Sequence, residues 1–406
     1  MASGRVPAVV VGTYTMGLAI IRALGEEGVP VIAIYYDGRD MGYLSRYVVE
    51  KYKAPHPAKK ETEFIALLEE IGTRYPMSVL FPASDASLVA ISRHKSVLEC
   101  YFRVACPDWK ITELFIEKKN TYALAEAVGV PAPKTVVPKC IEDVKRYAES
   151  AMYPCLVKPN EGHIYNALFG KKMSLVKNSE ELIDSYLKAH AAGLEVMLQE
   201  FIPGEDAQGV NYNAYYINGK PVVEFTAQKV RSAPPQTGSP CLVISSQNDE
   251  VVQLGRDILL AMGFTGFACT EFKKDPRDGV YKLMEVNGRH NLSGLLAVRA
   301  GLNFPYLHYR HLTCEEIPTA NGYKIGIAWI DLTRDLYFGA KQWIKDLDSL
   351  RRFFIPYRKP RTFAILDFKD PLPFLKRCWN LLTEQFDGKH AEVEKQQTKS
   401  DLASAD

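Results

Sequence analysis

The first third of the chain alternates short apolar runs with amphipathic stretches. Ala8–Val11 is a run of small and β-branched residues, read as a buried strand. The turn Gly12-Thr13-Tyr14-Thr15-Met16-Gly17 follows, then a helical stretch, Leu18–Glu27, closed by Gly28, and a second apolar strand, Pro30–Tyr35. Strand, turn, helix and strand imply a parallel sheet with a right-handed crossover. Glu61–Tyr75 has amphipathic helical spacing, Met77–Phe81 reads as a strand running into Pro82-Ala83-Ser84-Asp85, and Phe102–Ala105 as another short strand. Ile111–Val128 is predicted as one helix, stopped by Gly129 and followed by the extended Val130-Pro131-Ala132-Pro133.

Further along, the pattern becomes antiparallel. A helix, Ile141–Ala151, precedes an apolar strand, Tyr153–Pro159, that carries Lys158 near its end. Residues 160–172 form a polar loop with Gly162, His163, Gly170, Lys171 and Lys172. Val196–Ile202 is a strand, and Val210–Ile217 and Pro221–Val230 alternate as a hairpin about Asn218-Gly219. A helix, Glu250–Met262, leads into a second hairpin: Phe267–Lys273, the turn Asp275-Pro276-Arg277-Asp278-Gly279, and Val280–Asn287. Leu295–Ala300 and Pro305–Cys314 read as helices, Lys324–Phe368 as strands with a helix, and Phe374–Phe386 as an amphipathic helix. From Gly388 the chain is polar and unpatterned, and a disordered tail is expected.

Composition narrows the class. The 406 residues exceed one ordinary core, so two or three domains are expected. Lys+Arg number 50 against 48 Asp+Glu, a net +2 that gives no global signal for nucleic acid or membrane. The eight cysteines are scattered without a C-x-x-C pair, which favours a reducing, cytoplasmic setting. No apolar run approaches the roughly 20 residues of a membrane span.

The candidate chemistry concentrates in the second hairpin. Residues two apart on a strand share a face, so Glu285, Asn287 and Arg289 point one way and Glu271 joins them from the partner strand. Two carboxylates and an amide oxygen suit an oxygen-loving cation such as Mg2+ shared with nucleotide phosphates, and the arginine suits an anion. Lys229 and Arg231, two apart, form either a phosphate clamp or a solvated edge. Gly and Lys in the 160–172 loop, Lys171 included, can close over phosphates. Ser84 and Asp85, past the end of a parallel strand, are candidates for substrate contact or for a helix cap. The dinucleotide fingerprint G-x-G-x-x-G is missing, with only Gly12 and Gly17 in place, so nicotinamide binding is disfavoured. No convincing Ser/His/Asp or Cys/His set occurs; His163 and His290 lie near the proposed site and are read as surface or structural residues.

Taken in order, Glu117-Lys118, Gly129-Val130-Pro131-Ala132-Pro133, Val157-Lys158-Pro159, Gln199-Glu200-Phe201-Ile202-Pro203-Gly204, Glu271-Phe272-Lys273 and Glu285-Val286-Asn287-Gly288-Arg289 resemble the ATP-grasp superfamily. Within it the carboxylate–amine ligases are nearer, and the region after 320 is similar to the tail of a branch that includes bacterial D-aspartate ligases. The resemblance implies an α/β (α+β ATP-grasp) fold. A Rossmann-like parallel-sheet domain, 1–110, precedes a two-lobed ATP-grasp module, 111–318, with lobes at about 120–200 and 201–318. An extension, 319–386, packs on the core, and 387–406 is the tail.

The resemblance also implies roles. Lys118 and Lys158 reach ATP phosphates; Glu200, Phe201 and Ile202 hold adenine; Glu205 or Asp206 accepts from ribose. Glu271, Glu285 and Asn287 bind Mg2+, with Mn2+ as a substitute. Arg289 sits beside the transferred phosphoryl group, with Lys229 and Arg231 presented to phosphate or substrate, and Asn291 and Ser293 join Ser84 and Asp85 as candidate substrate contacts. The implied reaction activates a carboxylate as an acyl phosphate for attack by an amine. The partners are then a small carboxylate and a small amine, with a homodimer as the allowed assembly. Two departures leave the substrate open: Gly288 stands where many relatives have Pro, and Cys269 where D-alanine ligases have a basic residue. A non-catalytic ATP-binding regulatory protein and a biotin-carboxylase-like carboxylase are the alternatives.

Overall fold

The computed structural model describes residues 4–159, 165, 168–171, 173–234, 238–317, 322–343 and 346–383. The tail, Phe386, and Gly162, His163 and Lys172 of the 160–172 loop lie outside them.

Three sheets organise the chain. The first has five parallel strands: β1 (Ala8–Val11), β2 (Val31–Tyr35), β3 (Val48–Lys53), β4 (Ser78–Pro82) and β5 (Phe102–Val104), in the order β3-β2-β1-β4-β5. Strands β1 and β4 are wholly buried, and β2 is buried up to Tyr35, as expected where helices cover both faces and strands read as continuous apolar runs. The strand order reverses beside β1, which opens a crevice at the carboxyl ends of β1 and β4. Gly12 takes φ +86° there, and a side chain on Gly17 would meet the Gly12 carbonyl at 2.0 Å, so both glycines are needed for helix Thr15–Gly25 to start so close to the strand.

The second sheet has four short strands, β6 (Thr135–Val136), β7 (Cys155–Pro159), β8 (Ser174–Val176) and β9 (Val196–Glu200), ordered β6-β9-β7-β8. Helices Ile141–Ser150 and Ser179–Ala191 pack on it around Val144, Val157 and Leu182.

The third and largest sheet comprises β10 (Gly209–Ile217), β11 (Lys220–Ala233), β12 (Ser239–Ser246), β13 (Gly266–Lys274), β14 (Tyr281–Asn287), β15 (Ala328–Ile330) and β16 (Arg361–Phe363). Their order is β14-β13-β10-β11-β12-β15-β16. Asn218 and Gly219 turn β10 into β11 with φ of 51° and 71°, as a two-residue hairpin requires. The C-terminal region therefore extends this sheet as well as packing on it: β15 pairs with β12, and β16 runs parallel to β15.

Two buried ion pairs fasten that region. Asp370 accepts from Arg22 Nε at 3.0 Å, Ser45 Oγ at 2.7 Å and the Arg46 amide at 2.9 Å, tying the extension to the first sheet's helices. Asp335, fully buried in helix Leu332–Trp343, accepts from Arg231 Nε at 2.8 Å and Nη2 at 2.7 Å, and from Tyr357 Oη at 2.7 Å. Residues 372–383 are helical, in keeping with the amphipathic pattern.

The expected single helix over 111–128 is broken. Helix Trp109–Ile116 ends at Glu117, which takes an extended conformation (φ −82°, ψ 93°), and helix Lys118–Ala127 starts anew. The break turns the second helix so that Lys118 stands at its first position.

Removing one partner of a buried pair strands the other charge, at about 3–5 kcal/mol, whereas replacing both with apolar groups is often neutral. Asp335→Ala should therefore lower the urea midpoint sharply, and Arg231→Met with Asp335→Leu should restore most of it.

Candidate active site

Glu271 on β13 and Glu285 on β14 are direct cross-strand partners. Like charges placed so are destabilising, and each carboxylate is met by a lysine from another element. Lys229 Nζ on β11 lies 2.6 Å from Glu271 Oε2, and Lys118 Nζ lies 3.0 Å from Glu285 Oε1. The pairs set the charge states. Burial would raise the Glu285 pKa, but Lys118, with Lys158 and Arg289 behind it, outweighs burial and the carboxyl is held below its ordinary value. Glu285 in turn raises Lys118. Burial lowers Lys229, and Glu271 more than restores it.

Lys158, at the end of β7, has no such carboxylate among the described residues. Its ammonium donates to Gln199 Oε1 at 3.0 Å. Burial and then the nearby Lys118 charge depress its pKa to about 8, against a smaller pull from Glu285.

Two cavities meet at the Lys118–Glu285 pair. One, about 810 Å³, lies between the broken helix and the second sheet, with Glu117, Lys118, Lys158 and Met197 in its walls. The other, about 360 Å³, is lined by Lys229, Glu271, Glu285, Asn287 and Arg289, with Asn291 and Ser293 beside them. Gly288 allows the approach of the two parts: a side chain there would meet the Phe115 ring at 2.3 Å, so helix Trp109–Ile116 packs directly on the end of β14.

Arg289 reaches across to the first sheet. Its Nε and Nη2 lie 2.7 and 3.0 Å from the two Asp85 oxygens, a bidentate pair. Ser84 caps helix Asp85–Arg93 in a reciprocal bond with Ser87, so its hydroxyl is spent on the cap. Asn291 Nδ2 donates to Asn213 Oδ1 at 2.7 Å and Cys269 Sγ at 3.4 Å, and Ser293 is buried in the same wall.

Arg231 corrects the expected clamp. The ladder shifts between Lys229 and Arg231, inserting one residue and breaking the two-residue alternation. Lys229 faces the cavity, while Arg231 is buried against Asp335 and over the Phe353 ring at 4.2 Å.

The linker residues stand apart from both cavities. Glu200 is committed to Arg277 Nη2 at 2.6 Å and to the Lys134 amide at 3.1 Å. Lys273 Nζ donates to the Ile202 and Gly204 carbonyls at 3.0 and 3.1 Å and lies 5.8 Å from the Phe201 ring. Asp206 accepts from the Ser232 amide at 2.9 Å, whereas Glu205 and Lys171 are exposed.

Asn211 went unnoticed in the sequence. It lies on β10 opposite Glu271, is 3% exposed, lines the smaller cavity, and its Oδ1 has no hydrogen-bond partner among the described residues. An unmet buried acceptor of this kind costs about 1–3 kcal/mol. The alternation Asn211-Tyr212-Asn213 was the available signal, since it sets two amides on one face of an otherwise apolar strand.

This is the ATP-grasp fold, with a parallel-sheet domain, a small antiparallel lobe and a large one whose facing walls carry lysines, carboxylates and an arginine. Among its relatives, the chain is 28% identical over 264 residues to the D-aspartate ligase of Enterococcus faecium, covering 61% of each chain. It thus spans about three fifths of that relative's length. It superposes on the L-amino acid ligase of Bacillus licheniformis with a TM-score of 0.61 at 18% identity, covering 78% of both. On the biotin carboxylase domain of Hydrogenobacter thermophilus 2-oxoglutarate carboxylase the TM-score is 0.62 at 17% identity, covering 80% of this chain and 73% of that one. No protein-family model matches the chain.

The Lys158 shift is directly measurable. Acylation of Lys158 across a pH series, mapped by mass spectrometry, should show a midpoint near 8 instead of the ordinary 10.5, and Glu285→Gln should move it lower. Between those values the unfolded chain binds the extra proton, so this residue's contribution makes stability rise with pH over that window.

Proposed function

We propose that the chain is an ATP-dependent carboxylate–amine ligase that forms an amide bond and releases ADP and phosphate. The observation that carries the reading is the opposed Glu271 and Glu285, each neutralised by a lysine from a different element, with Arg289 on the same wall. The similarity to a named ligase supports it.

A carboxylate is a poor electrophile, because an attacking amine would have to expel an oxide. In the proposed reaction, a carboxylate oxygen of the acid attacks the γ-phosphorus, and the bond to ADP breaks. The amine nitrogen then attacks the acyl carbon, the carbon–oxygen bond to phosphate breaks, and the amine loses a proton. Lys118 and Lys158 hold phosphate oxygens, and Lys229 and Arg289 take the charge on the transferred group and the acid. Asn291 and Ser293 border the acid. Asp85 contributes by orienting Arg289, and Ser84 by holding the helix that carries Asp85. Glu205 or Asp206 accepts from ribose; Asp206 also receives the Ser232 amide, and Glu205 is exposed.

The donor set fits a hard divalent cation. Glu271, Glu285 and Asn287 offer oxygens only, and the unpartnered Asn211 Oδ1 opens on the same cavity. Mg2+ held there would neutralise charge on the phosphates. The lysines now paired with the two carboxylates would then be released toward phosphate. A cytoplasmic setting accords with this chemistry and with eight unpaired cysteines.

The test is ADP release with ATP and Mg2+ against paired acids and amines, with product identified by mass. Release should require one acid and one amine together. Glu285→Gln should reduce it by roughly 10²-fold or more; turnover retained in that variant would remove Glu285 from the metal set. Bicarbonate-dependent release with no amine requirement would instead assign a carboxylase, a reading that now rests on fold alone. Lys158→Ala should weaken ATP binding, read by calorimetry, while ATP affinity unchanged by the substitution would remove this lysine from the phosphate site.

A further inference from the structure

The net charge of +2 conceals an uneven distribution. Residues 322–383 hold 12 Lys+Arg against six Asp+Glu, and the following 384–406 hold three against six. Three of the acids in 322–383, Asp331, Asp335 and Asp370, are buried. Among the described residues 346–383, eight cations therefore stand against three acids that are not buried, Asp346, Asp348 and Asp367.

The same region ends in an exposed apolar stripe. Leu372, Leu375, Trp379 and Leu382 recur at steps of three, four and three, which keeps one line along helix 372–383, and Phe368 stands in the turn just before it. They are 53–89% exposed. The opposite side of the helix is anchored: Pro373 is buried, Phe374 packs into the core beside Ala364 and Ile365, and Asn380 donates to the Arg39 carbonyl at 3.2 Å. The outward stripe is thus fixed in place. It runs roughly 15 Å and, with Phe368 beside it, presents apolar surface on the order of 500 Å², at the upper end of what monomers expose.

Cations flank it. Lys369 and Lys376 follow Phe368 and Leu375 directly. Lys359 and Arg361 border the same surface cavity as Phe368 and Lys369. The nearby Asp367 carboxylate is turned to the Lys369 amide at 2.8 Å.

We propose that this helix lies on an anionic lipid surface, with the Leu372–Leu382 stripe entering the boundary between headgroups and acyl chains and the lysines on the headgroups. A helix with Trp, Phe and Leu on one face and Lys or Arg beside it has the composition of an interfacial helix. None of the described helices is long and apolar enough to cross a membrane, so the contact is peripheral. A second copy fits less well. The stripe falls short of the roughly 800 Å² per partner of a stable interface, and pairing would oppose like charges. The inference is independent of the ligase reading.

The test is co-sedimentation of the full chain with vesicles of phosphatidylcholine alone and of equimolar phosphatidylcholine and phosphatidylglycerol. Binding should be confined to the anionic vesicles and weaken as salt rises. Trp379→Glu or Leu375→Glu should abolish it, and Lys369→Ala and Lys376→Ala should each weaken it about fivefold, the equivalent of roughly 1 kcal/mol per cation. Equal binding to both vesicles, no binding to either, or binding indifferent to the lysine substitutions would overturn the proposal. So would a dimer in analytical ultracentrifugation that Trp379→Glu dissociates, which would give the stripe to a second copy.

Discussion

Two carboxylates directly across a strand pair repel each other, and the candidate site is built around containing that repulsion. Glu271 and Glu285 cannot relieve it within their own hairpin. The neutralising cations come from β11 and from the start of a helix more than 150 residues upstream in the chain. Three requirements follow. The helix must break at Glu117 to aim Lys118, Gly288 must lack a side chain so that the helix can approach, and Lys229 must face inward on a strand that soon bulges. Lys158 stands outside the pairing, and its lowered pKa is the consequence.

The bulge at residue 230 does two jobs. Before it, β11 serves the cavity through Lys229. After it, the same strand serves the C-terminal region through Arg231 and Asp335. The C-terminal region is thereby fixed to the large sheet by strand pairing and an ion pair, and to the first sheet's helices by Asp370. Its substrate-facing role, if a ligand reaches it, would be indirect, through the strand it shares with Lys229.

Much of the fold was legible because its strongest periodicities are local. The buried parallel strands, the hairpin at Asn218-Gly219 and the Glu285-Val286-Asn287 alternation all announce themselves within a few residues. Strand β3 did not, because Val48–Lys53 alternates with charge along a half-exposed edge; nor did β12, whose Ser and Pro residues at its start resemble a loop. The helix break at Glu117 was invisible, since Glu and Lys on either side are good helix formers and packing against Gly288 overrides them. Arg231 was misplaced for a related reason: alternation assumes a regular ladder, and a bulge has no reliable signature in one sequence. Asn211 was missed because an amide in a strand advertises nothing until its neighbours are known.

The bidentate contact between Arg289 and Asp85 engages one side of the arginine. Asp85 occupies the Nε–Nη2 edge of the guanidinium and leaves Nη1, 3.2 Å from Met16 Sδ, on the other side. Asp85 opens a helix of the first sheet, and Arg289 follows a strand of the third. The wall of the pocket is thereby held by a tie between two layers of the molecule, so the position of Arg289 depends on a helix that contributes nothing else to that wall.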